Sequence, residues 1–584
     1  MRNSQRFGVN LTFLALALLA APATASAADY YVDSVAGNDS GAGNMGAPWK
    51  TLSKAQSQSL TAGDRLLFAR GSTFTGSLDV TASGTANAPI TLTSYGSGPL
   101  PLFTNASFAD NNGNSIIVHG SYVVIDGLGF ADGAPAPDYG AVGVTGAVHI
   151  YPGANHAVVT NSDFKNAPIG IRVGGENALI THNHIHDCTR MLQGDLWGPI
   201  GVFVSTSGVE IAYNRFENYA VLGDLSAFGG DGGSIEVDSQ NAPGGGALIQ
   251  DLNVHHNVSI GNVGFIEVTP VNGGGKNLKL SYNLVDDVLQ GFLFHEATNI
   301  TFENNTIRRI NAPVILKSGE PAEETVLYAG AVTGLSLKNN IFLVRDDLLV
   351  YGDGLPVGSV HSNNVYFAPG NPDPLGSVAL GAGEVVGDPK FVDVATRNLH
   401  LLSGSPAIDA GAVLGYTQDL LGRGVPFGSA PDIGALEFQG PDGMTGPIGD
   451  PSGSGGAASG SGGASSGSGG ASQVGGAPGS STGGVNSASG GGGTVASSGG
   501  AGPAVAGGSV SVFPNPGTAS GGARAAGGAT GSQVPGSGGP GTSASRGQAK
   551  SGCGLVSPPG QSSSLLAVAG LAVAACASRR RARA

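Results

Sequence analysis

Cysteine is nearly missing from this chain of 584 residues, which has three. Two of them, Cys553 and Cys576, lie at the far C-terminal end, leaving Cys188 alone in the part with globular composition. No disulfide framework can hold that part together, and Cys188 reads as a small apolar core residue. Charge is also sparse, at 12% of residues, and the net balance is −14 with the basic groups partly gathered at the ends. That excludes the basic surface a nucleic-acid partner requires. Large apolar groups are scarce from Gly440 to Ala549, where stretches such as "SGSGGASSGSGGAS" dominate. Such a segment cannot repay the entropy of ordering, so residues 440–550 are expected to be a disordered Gly/Ser/Ala-rich linker.

What the two ends do contain is informative. Arg2 and Arg6 precede the apolar run "LTFLALALLAAPATA" and the small residues "ASA" at Ala25–Ala27. This is the pattern of a secretory signal peptide over residues 1–27, and it predicts a mature protein outside the cytoplasm. At the other end, Leu565 to Ala577 is apolar but short of the ~20 residues of a membrane span, and Arg579, Arg580 and Arg581 follow it. With the Gly-Cys before it, the segment 551–584 resembles the myxobacterial C-terminal sorting signal. The resemblance implies that Cys553 is the processing and anchoring point, and that the protein is held at the cell surface or outer membrane. A weak C-terminal membrane anchor is the plainer alternative and gives nearly the same location.

Between Ile116 and Phe367 one pattern recurs, apolar-x-apolar-x-x-Asn-x-apolar, as in "ALITHNHIHD", "VEIAYNRFEN" and "ITFENNTIRR". The shared positions are read as Asn183, Asn214, Asn257, Asn283, Asn305, Asn340 and Asn363, with Ser162 standing in one turn earlier. Short alternating strands at this spacing, without helical periodicity, predict a stacked solenoid. Asn suits the bend because its amide can bond the same amide in the coils above and below, and it tolerates left-handed backbone. These repeats resemble the right-handed parallel β-helix family. An all-β fold is expected, with an N-terminal helical cap and first coils over 28–115, repeats over 116–366 and a C-terminal coil or cap over 367–439. "APWKTLSKAQSQSL" supplies the capping helix, with Pro48 at its start and Leu52, Ala55 and Leu60 inward. The segments around it resemble the N-terminal part of secreted, often carbohydrate-active β-helix proteins. "DPKFVD…PDIGALEF" resembles the C-terminal part of anchored, surface-displayed ones.

A strand turns alternate side chains to core and surface. In "GSIEVDS" and "GFIEVTP" the residues Ile235, Val237, Ile266 and Val268 therefore face inward, and Glu236 and Glu267 face outward. Coils in register bring these two glutamates about 4.8 Å apart at the backbone. The same column is expected to hold Arg172 and Phe203 above, and His295 or Phe294 with Lys317 below. Long insertions bring Arg190, Asp195 and Trp197, then Asp224, Phe228 and Asp231, towards it.

Three readings of this column stay open. The pair can be a general acid with a nucleophile or base, since ~5 Å suits a retaining glycosidase. Asp231, Glu236, Asp238 and Glu267 can instead bind Ca²⁺, with Arg172 or Lys317 abstracting a proton as in polysaccharide lyases of this fold. The chain lacks the tight Asp cluster and companion lysine of the lyase patterns. The third reading is a solvated face balanced by Arg172 and Lys317. Trp197, Arg190, Asp195 and His295 are the candidate substrate-binding residues, with Trp197 as a sugar platform. Alternate histidines, His182, His184 and His186 with His255 and His256, can bind Zn²⁺ or simply face solvent beside the bend. The chain is thus expected to be a monomeric, surface-tethered polysaccharide-binding protein that cleaves its ligand, the alternative being a non-catalytic adhesin.

Overall fold

The computed structural model describes residues 27–440 apart from 195, 227–228, 240–246 and 271–272. The signal peptide, the linker, Cys553 with its sorting signal, Asp195 and Phe228 lie outside the described residues.

The chain winds as a right-handed parallel β-helix with three short strands per coil. Ile169–Val173, Leu179–Thr181 and His184–His186 form one coil. Each pairs in parallel with its counterpart in the next, Ile200–Val204, Glu210–Ala212 and Arg215–Glu217. The first two faces run together into one 19-stranded sheet, and the third forms a 12-stranded sheet. They merge because two later coils cross from first to second face in unbroken strands, Gln290–Glu303 and Thr325–Lys338.

Alternation fills the interior as the sequence requires. Ile235, Val237, Ile266 and Val268 are buried, each worth roughly 1.5–3 kcal/mol in removed apolar surface. On the third face Phe103, Phe130 and Phe164 stack in turn, with centroids 5.7 and 4.6 Å apart. Cys188 is buried, and burial pushes its thiol up to about 11, the state of an inert core residue.

The asparagine ladder runs at the bend between second and third faces. Ser162 N donates to Asn183 Oδ1 at 3.1 Å, and Asn183 N and Nδ2 both donate to Asn214 Oδ1 at 3.0 Å. The same double bond passes through Asn257, Asn283, Asn305 and Asn340. Its last asparagine is Asn364, not Asn363: Asn340 N donates to Asn364 Oδ1 at 2.8 Å. Asn363 takes the preceding position, where φ is +52°. The left-handed backbone belongs to that preceding residue in every rung, as at His182, Tyr213 and His256. The ladder side chain is thereby turned inward, and the ladder asparagines are all buried.

The capping helix is Leu52–Gln56, shorter than expected. It starts after Thr51, whose side chain accepts from Lys54 N, so Pro48 lies ahead of it rather than at its first turn. Leu52 and Ala55 are buried and Leu60 packs against the same core. At the other end Phe391–Asp393 pairs antiparallel with Asn398–Leu401, over an apolar cluster with Leu343, Ile433 and Leu436.

Candidate functional site

The first face carries an outward column in strict register: His149, Arg172, Phe203, Glu236, Glu267, Leu293 and Tyr328. Glu236 and Glu267 are therefore neighbours on consecutive coils, as their strands predict. Below them the column departs from expectation. Leu293 stands opposite Glu267, and His295 comes two residues later on the same strand and face. Lys317 is absent from the column. Its coil supplies Thr325–Lys338 as the strand, and "PVILKSG" is an exposed loop whose Lys317 N donates to Asp224 Oδ2 at 2.7 Å.

The two glutamates have different partners. Trp197 Nε1 donates to Glu236 Oε2 at 3.0 Å. His295 Nε2 lies 3.0 Å from Glu267 Oε1. Burial first, then the charges of Glu267, Asp238 and Asp231, push Glu236 well above the usual carboxylate range, against the pull of the Trp197 bond. Burial and the charge of Glu267 likewise raise Asp231 to about 7. Burial alone would lower His295, but its bond to Glu267 and that residue's charge leave it raised. A carboxyl raised by burial, next to a second carboxyl that faces an imidazole, is the kind of unlike pair that can separate an acid from a base.

Two loops converge on the pair. Gly198, next to Trp197, lies so close to Asp231 that a Cβ there would sit 2.3 Å from the Asp231 carbonyl carbon. Only glycine permits that contact, which locks the loop carrying Trp197 against the one carrying Asp231. Asp231 in turn accepts from Gly232 N at 2.7 Å. Trp197 is partly buried beside Phe203, centroids 6.2 Å apart, so its indole edge orients Glu236.

Other expected partners have structural work. Arg172 points outward yet is wholly buried. Its Nε donates to Thr145 O at 2.8 Å and its Nη2 to Val142 O, and its guanidinium lies 4.0 Å over the Phe203 ring. Burial lowers it to about 9, opposed by Glu236 and Asp238. It backs the acidic pair from beneath a covering segment, where no substrate proton can reach it. Arg190 staples loops, donating to Asn166 Oδ1 at 3.0 Å and to Gly133 O. The lyase reading thus loses both of its bases.

A Ca²⁺ shell does not fit either. Among the described residues, the group of three ligand-type side chains that converges within 4.8 Å is Asp163, His184 and His186, and no three of Asp231, Glu236, Asp238 and Glu267 do so. An apolar hollow of about 290 Å³ between Leu343, Phe367, Phe391 and Val394 lies away from the column and holds no acid–base pair of this kind. Sequence reasoning missed His149, next to Arg172 in the column, although "VHI" repeats the in–out–in form of "IEV". Burial, then the Arg172 charge, hold His149 well below the usual histidine range.

A family described as a right handed beta helix region matches residues 79–307. No curated protein matches the chain. Among solved structures, a pectate lyase has 17% identity and a TM-score of 0.45, covering 71% of this chain and 97% of its own. A lacto-N-biosidase from Eubacterium ramulus has 15% identity and a TM-score of 0.40, covering 61% of this chain and 67% of its own. An alginate lyase from Paenibacillus sp. str. FPU-7 has 20% identity and a TM-score of 0.31, covering 48% and 95%. Likeness at this level says nothing about activity.

Proposed function

We propose that the chain is a glycoside hydrolase acting on a polysaccharide, with Glu236 as general acid and Glu267 as its carboxylate partner. The observation that carries this reading is the stacked pair with unlike partners: Glu236 half-buried under an indole N–H, Glu267 against an imidazole. Glycosidic cleavage needs one carboxyl that keeps its proton and one that does not, on either side of the scissile bond. Burial, then the charges of Glu267, Asp238 and Asp231, favour the protonated Glu236, and His295 Nε2 stands 3.0 Å from Glu267 Oε1. Export by residues 1–27 and tethering through Cys553 belong to the same proposal, and place the enzyme where polysaccharide is met.

The test is a screen of the full chain against a polysaccharide panel, following reducing ends and the absorbance of unsaturated uronates, with and without EDTA. The proposal expects reducing ends without unsaturated product, insensitive to EDTA and lost in Glu236→Gln and Glu267→Gln. An unsaturated product would make it a lyase. Binding without cleavage across the panel would make it an adhesin.

A further inference from the structure

The third face carries a second chemical cluster, formed by three consecutive coils. Register sets Asp163 beside His184 and Arg215 in one outward column, and Lys165 beside His186 and Glu217 in the next. Between them the core is closed by Phe164, Ile185 and Phe216. The two imidazoles are stacked, centroids 3.9 Å apart and 10° from parallel. One nitrogen of each turns to the same oxygen: His184 Nδ1 lies 3.4 Å and His186 Nε2 3.1 Å from Asp163 Oδ2.

The remaining nitrogens are each held by a further carboxylate. His184 Nε2 lies 2.8 Å from Glu217 Oε2, and His186 Nδ1 lies 2.9 Å from Asp187 Oδ2. Glu217 is itself fixed by Arg215, and Asp187 accepts from Asn218 Nδ2 at 3.0 Å. Two imidazoles and a carboxylate bring their ligand atoms within 4.8 Å of one another, each imidazole held from behind by an acid as in the two-layer arrangement of transition-metal sites. Because the rings are stacked, taking up one ion requires them to rotate apart until both lone pairs point at it. Ligand atoms of a tetrahedral zinc site with bonds of ~2.0 Å stand about 3.3 Å apart, close to both nitrogen–oxygen separations here.

We propose that Asp163, His184 and His186 bind a divalent first-row transition metal such as Zn²⁺, with Glu217 and Asp187 as the orienting outer carboxylates. Imidazole nitrogens select this class of ion over Ca²⁺ or Mg²⁺. Three protein ligands leave the fourth position to solvent. The site is separate from Glu236 and Glu267, and independent of the hydrolase proposal.

The full chain, freed of metal by chelation, is titrated with Zn²⁺ by calorimetry and with Co²⁺ by visible absorption. One equivalent is expected, with the intense bands of tetrahedral Co²⁺ and a rise in melting temperature. His186→Ala and Asp163→Asn should each weaken binding at least ~100-fold, and Glu217→Gln about 10- to 100-fold. His255→Ala, in the other histidine pair, should change nothing. If His186→Ala fails to fold, Asp163→Asn, which keeps the shape of the side chain, decides the matter alone. Absence of stoichiometric binding, or binding indifferent to Asp163→Asn, would overturn the proposal.

Discussion

Glu236 and Glu267 are the same residue type, one coil apart, and their partners differ: Trp197 for one, His295 for the other. Glu236→Gln should lower hydrolysis about 10²- to 10⁴-fold, the usual weight of a general acid, with the melting temperature held or raised. Trp197→Phe keeps the ring and removes the indole N–H that pulls the Glu236 pKa down. Glu236 must then titrate higher, so the alkaline limb of the pH–rate profile should move to higher pH. Asp231 gives a stability prediction. Its carboxyl rises from 3.8 to about 7 on folding, so the folded state holds that proton more tightly than the unfolded chain. Its contribution to stability is therefore lost as pH climbs from about 4 to about 7. Asp231→Asn should remove this slope and raise the melting temperature by a few degrees at pH 8, measured by thermal unfolding across pH. The alternation of Ile235–Glu236–Val237 made the pair legible in the sequence. The partners were less so, because Arg172 and Phe203 obey the same alternation while loops from elsewhere decide what covers them.

Among elements, the asparagine ladder does most to hold the coils in register. Asn257 donates to Ile211 O and Asn283 Oδ1 and accepts from Asn214. Asn257→Ala removes these bonds and strands buried groups on both neighbours, so it should cost about 3 kcal/mol in urea unfolding. The repeat was readable because each rung needs the same amide in the same place. Its last rung was misread by one residue because "SNNVYF" offers two adjacent asparagines. The bend uses both, one for the left-handed turn and one for the ladder. Lys317 was misplaced for a different reason. "PVILKSG" has the alternation of a strand, but the strand that follows, Thr325–Lys338, pairs with Gln290–Glu303 over its whole length, and the earlier segment instead turns back on itself, with Ile315 bridged to Pro321. Asp163 and Glu217 escaped notice because each is ordinary in its own strand, and only the stacking of coils brings them to the histidines.

At the scale of the whole fold, the β-helix carries distinct chemistry on two of its faces: a carboxyl pair on the first, and a histidine–carboxylate cluster on the third. The fold itself follows from local rules repeated coil by coil, which is why a sequence pattern of some 22 to 43 residues between asparagines announces it. Function depends on the longer segments between third and first faces, whose paths no repeat dictates. The tether prediction belongs here as well: Cys553→Ser should release the protein from the cell surface with its polysaccharide activity unchanged, as measured by fractionation. The most direct test of the central claim needs no substrate. Carboxyl ¹³C resonances of labelled glutamate would be followed by NMR across pH in the wild type, with Glu236→Gln identifying the signal. The account predicts that Glu236 titrates far above the surface glutamates, and that Trp197→Phe moves it higher still. A Glu236 that titrates with the surface residues would contradict its role as the acid.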